Sequence, residues 1–242
     1  MDEPIRILRL YIFTVAMAAA ALGAIARVVD PPRAAAAFAE RPGIAVLLAG
    51  GVLLGGRFPL HLSYKTKVYT NTALLVAAAI VFPAPEAMLI AAAGTLIAEL
   101  LPFQSWEQAL FNTAQTALHV GAGSLLFHAI GDPGAFSPRP GVADVLAILA
   151  AGTAMLLLNS AAVAEIGAVQ PRMDPVRSWL AGLWKDVPEH AAQVLCGVLI
   201  AALAVAARGD PPPAAVPQPP TNRKPREPVG RGFGLPVATP TG

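Results

Sequence analysis

From Ile7 to Val29 the chain is apolar except near its ends, with Arg6 and Arg9 at its head and Arg27 at its tail. That length matches the roughly 20 residues that carry a helix across hydrocarbon. Comparable runs recur at Ile44–Leu60, Val68–Phe82, Pro85–Leu101, Gln108–Ile130, Val142–Val169 and Ala191–Ala207. A water-soluble fold needs charge to cover its outside. Here 13% of residues are charged and 55% hydrophobic, with a mean hydropathy of +0.59, whereas a soluble domain is about one quarter charged. The sequence therefore predicts an all-α integral membrane bundle of six to seven short transmembrane helices in the cell (cytoplasmic) membrane. The third and fourth runs are short for full spans, so kinked, tilted or re-entrant helices are expected there.

The connections carry their own signals. The first run is longer than the apolar centre of a signal peptide, about 7–15 residues, so a retained anchor is expected. Gly51 and Gly55 form a GxxxG, which lets two helices approach closely. The segment Ser63–Val68 is a polar interfacial break, with Tyr64 and Tyr69 beside it. Pro83 and Pro85 in FPAPE stop one helix and start another. In PRMDPVRSWLAGLWKDVPEH the residues Val176, Trp179, Leu180, Leu183 and Trp184 share one helical face. This predicts a separate amphipathic helix over about 172–188, lying in the interface with Trp179 and Trp184 as anchors. Residues 1–207 are read as one membrane domain. The Pro-rich residues 208–242 lack the apolar side chains to bury a core, and a disordered tail is expected. Lysine and arginine divide about evenly between the two sides of a seven-span arrangement, so charge gives no orientation.

Catalytic signatures are missing. AGGVLLGG lacks the Lys-Ser/Thr of a phosphate loop, and there is no HExxH, cysteine pair or serine-nucleophile motif. No catalytic residue, metal or cofactor is expected, and the chain is read as not an enzyme. Its lone cysteine, Cys196, lies in an apolar run and is expected to be a buried thiol. A net charge of +2 gives no sign of a nucleic-acid partner.

What remains is polarity inside apolar runs. In FNTAQTALHV, Asn112, Gln115, Thr116 and His119 stand at i, i+3, i+4 and i+7, on one face of a helix. Asn71, Asn159, Glu165 and Gln193 lie in other runs, and an unpaired amide in hydrocarbon is costly, so all should face the interior. Glu99, just before Pro102, reads as a carboxylate snorkelling to the interface. Two readings of the stripe stay open: hydrogen bonds that hold helices together, or a polar pocket for a small ligand. The candidate ligand residues are Asn71, Asn112, Gln115, Thr116, His119 and Asn159.

The order of these motifs resembles the N-terminal multi-span, sensor-type membrane module of bacterial GGDEF and HD-GYP signalling proteins. The stretch from AVLLAGG to AELL, followed by SWEQALFNTAQTALHVGAGSLLFHAIG, carries the likeness. It has a strand-like polar break before a short span, a Pro-marked hairpin, and a helix starting Leu110, Phe111, Asn112, Thr113, Ala114, Gln115. Asn159 and the Trp179/Trp184 segment match later landmarks. The resemblance implies a membrane input module. No GGDEF or HD motif follows Ala207, so neither activity carries over. A stand-alone sensor-like module is expected, with the lipid bilayer, an unknown protein partner and a small molecule as its contacts. A weaker likeness, through Ala16, Ala20, Gly23 and Ala24, is to the S components of vitamin uptake systems, whose partner is a transport ATPase. A purely structural membrane protein is the third alternative.

Overall fold

A computed structural model describes residues 3–29, 39–58, 60–63, 66–68, 70–101, 105–131, 141–168 and 174–207. These hold seven helices and one small hairpin: α1 (Glu3–Val29), α2 (Pro42–Arg57), β1 (Leu60–Ser63), β2 (Thr66–Val68), α3 (Asn71–Val81), α4 (Ala84–Leu100), α5 (Trp106–Ile130), α6 (Val142–Ala168) and α7 (Pro175–Ala206). The polar break after α2 is thus a short antiparallel pair, with Leu60 opposite Val68 and His61 opposite Lys67. The expected Pro-rich tail, residues 208–242, lies outside the described residues.

Among the described residues, three helices are long and apolar enough to cross a membrane: Ile5–Val29, Val142–Glu165 and Trp179–Ala206. Two more, α2 and α3, are apolar but shorter. At 11 residues, α3 rises only about 16 Å. It lies inside the bundle, touching α2, α4, α5 and α7, and every residue from Leu75 to Phe82 is buried. A helix end inside a bundle leaves carbonyls that need donors. They come from other elements. The Val81 carbonyl accepts from Arg41 (2.8 Å), and the Phe82 carbonyl accepts from Ser124 Oγ (2.9 Å) and His128 Nε2 (3.1 Å). Phe82 is extended, with φ −119° and ψ 144°, because the following proline disfavours the helical conformation before it.

The second central helix is α5, which touches α1, α3, α4 and α6. Ser105 caps its start, accepting from the Gln108 N–H (3.3 Å). Small residues set the spacing of the outer helices. A Cβ on Gly55 would stand 2.8 Å from the Asn71 backbone nitrogen, so the GxxxG of α2 does allow a close approach, here to the start of α3. Gly94 meets α2 in the same way, at 2.6 Å from the Ala49 carbonyl oxygen.

Three expectations are corrected. The separate interfacial helix over about 172–188 does not exist as such: Pro175 to Ala206 is one helix of 32 residues. Asp174 caps it through the Val176 and Arg177 N–H groups. Pro188 removes one N–H but does not end the helix, as neighbours in a membrane bundle can tolerate that loss. Cys196 is exposed, not buried; the inward face of α7 at that level carries Val194, Gly197 and Ala201 instead. Glu165 is also exposed. It lies one turn from the end of α6, where a carboxylate reaches the interface.

Candidate functional site

The stripe on α5 does face inward. Gln115, Thr116 and His119 are buried, and Asn112 is half-buried. Asn112, Gln115 and His119 have separate partners. Gln115 Nε2 donates to Asn159 Oδ1, joining α5 to α6. His119 Nδ1 donates to the Gln115 carbonyl of its own helix (3.0 Å). Asn112 Nδ2 donates to Glu99 Oε1 (2.9 Å), joining α5 to α4. Asn71 is set apart, at the start of α3 beside Gly55 and Gly56.

Glu99 therefore points into the bundle and does not snorkel. Asn112 supplies the reason, since a fixed donor compensates a carboxylate for lost water. The compensation is incomplete. Glu99 Oε2 is buried and has no hydrogen-bond partner. Thr95, one turn earlier on the same face of α4, is buried with its hydroxyl also unpartnered. Thr95, Glu99 and Asn112 thus bring one unpartnered hydroxyl, one unpartnered carboxylate oxygen and one amide to the seam between α4 and α5. The sequence reading had Asn112 but missed Thr95; the i, i+4 spacing of Thr95 and Glu99 was the available signal.

All of these residues lie inside a recognisable unit. A family model named MASE9 matches residues 45–171. The chain belongs to the MASE9 family of membrane-associated sensor domains. The MASE9 match runs from α2 through α6, so it takes in the hairpin, both central helices and all six candidate ligand residues. No curated protein and no solved structure matches the chain.

The seam with α6 behaves as structure. Trp179 Nε1 donates to Ser160 Oγ (3.0 Å), and His190 Nε2 donates to the Gly152 carbonyl (2.9 Å). With Gln115–Asn159, these bonds fasten α6 on two sides. Trp184, the other expected anchor, is 76% exposed. Two open grooves run along α1, and none of the six candidate ligand residues lines either. In the MASE9 unit, Gln115→Leu strands the Asn159 oxygen in an apolar surround. The expected cost is about 1–2 kcal/mol, read as a lower thermal midpoint in detergent. Gln115→Leu/Asn159→Leu is expected to regain most of it.

Proposed function

We propose that this chain is the input module of a membrane signalling system, one that binds a small ligand and transforms nothing. Its polar site is the Thr95–Glu99–Asn112 seam between α4 and α5. One observation carries this reading: the buried second oxygen of Glu99 has no donor. A buried carboxylate that is only half satisfied favours any ligand that brings a donor. The ligand class is a small molecule with an ammonium, guanidinium or hydroxyl group. Hydrogen bonds to Glu99 Oε2 and Thr95 Oγ1 would draw α4 toward α5. In this reading the seven helices form a multi-pass domain of the cytoplasmic membrane, the four shorter or more polar ones completing the set begun by the three long apolar spans. A protein partner receives the state of the bundle.

Purification from native membrane in mild detergent, with mass spectrometry of the small molecules retained, tests the site. A defined compound is expected on the wild-type protein. Glu99→Gln should lower its retention at least tenfold, the loss of one charge-assisted hydrogen bond. Gln115→Leu should keep the compound while reducing stability. A compound retained equally by Glu99→Gln, or none on the wild type, overturns the reading and leaves the polar face as packing.

A further inference from the structure

Where α1 and α5 begin, a groove of about 690 Å³ opens between them, lined by Arg6, Arg9, Leu10, Phe13, Trp106 and Glu107, among others. Leu110 lines it too, and also lines a second groove of about 520 Å³ that follows α1 past Ala16 and Ala20. The two are consecutive stretches of one furrow. Charge lines both ends: Arg27, paired with Glu86, stands at the far one, and Arg6, Arg9 and Glu107 at the near one. Arg9 pairs with Glu107 (3.4 Å), while Arg6 has no ion pair to a described residue and is exposed.

Depth explains this layout. Counting back from Val29, about 20 residues of α1 fill the hydrocarbon, which places Leu10 at its edge. Arg6, Arg9 and Trp106 then stand at headgroup level, where tryptophan and snorkelling arginine are favoured. Below them Leu10 and Phe13 expose most of their surface. From Leu10 to Ala20 the helix rises about 15 Å, half the roughly 30 Å core and so the depth of one leaflet.

We propose that this furrow is a binding site for one anionic phospholipid. Its phosphate pairs with Arg6, beside the Arg9–Glu107 pair, and one acyl chain lies over Phe13 toward Ala16 and Ala20. Charge and shape both select this occupant. The two arginines and one glutamate leave the groove net positive. A free phosphate makes no use of the apolar wall, and a protein helix would have to bury Arg6 unpaired.

The test is native mass spectrometry of protein taken from nanodiscs of equal phosphatidylglycerol and phosphatidylcholine. One phosphatidylglycerol is expected to remain bound in preference to phosphatidylcholine. Arg6→Gln should cut its retention about fivefold at unchanged thermal midpoint. Ala20→Trp, which obstructs the path of the chain, should weaken both lipids. Arg57→Gln, exposed at the end of α2 and outside the furrow, should do nothing, and excess inorganic phosphate should displace nothing. Equal retention of the two lipids, an equal loss on Arg57→Gln, displacement by inorganic phosphate, or a lipid-free dimer would each overturn the proposal, the last in favour of a protein contact.

Discussion

Gly197→Ala is expected to destabilise the bundle by about 3 kcal/mol, the upper end for an overpacked interior. A Cβ at that position would stand 2.6 Å from the Ala73 carbonyl oxygen and 2.7 Å from Val76 Cβ. The first of these is backbone, so no rotamer change relieves it, and α7 must move off α3. A glycine of the same helix is the control. Nothing lies within 4 Å of a Cβ at Gly182, so Gly182→Ala should match or slightly exceed the wild type, since alanine favours helix. Unfolding in detergent by heat or denaturant measures both. A wild-type midpoint for Gly197→Ala would mean that α3 and α7 are farther apart than described.

Arg27→Gln is expected to cost about 2 kcal/mol. Arg27, in the last turn of α1, donates to Glu86 Oε1 at 2.9 Å. The Glu86 side chain is 2% exposed and that of Arg27 50%. Removing the arginine takes one charged partner from a buried carboxylate, which is the expensive way to break such a pair. The figure is set below the usual 3–5 kcal/mol because half of the guanidinium already faces outward. The start of α4, where Glu86 lies, offsets part of the charge through the helix dipole. Arg27→Gln/Glu86→Gln should recover most of the loss. A double variant as unstable as the single one would mean that the two residues do not act as a pair.

The sequence shows the helices more readily than their partners. Apolar run length placed α1 to α6 within a few residues, because an apolar run ends where charge, glycine or proline interrupts it. FPAPE marked the break between α3 and α4 because proline chemistry is local. The inward stripe on α5 was legible for the same reason, as helical spacing is a local property. Misreadings came where a local signal had two physical outcomes. Pro188 with Lys185, Asp186 and Glu189 looks like a boundary, yet the backbone continues through them. Glu99 looks like a helix-end carboxylate, and only Asn112, 13 residues away, turns it inward. Glu86 drew no notice, for its partner Arg27 lies 59 residues earlier. Gly94 and Gly197 sit among many alanines and glycines, and nothing local distinguishes a glycine at a crossing from one beside open space.

Asn159 and Ser160 are consecutive, so their side chains leave α6 about 100° apart. One holds α5 through Gln115 and the other holds α7 through Trp179. A rod held by two stays at different bearings cannot spin about its own axis without slackening one of them. Any turn or slide of α6 that keeps both bonds must therefore carry α5 and α7 with it.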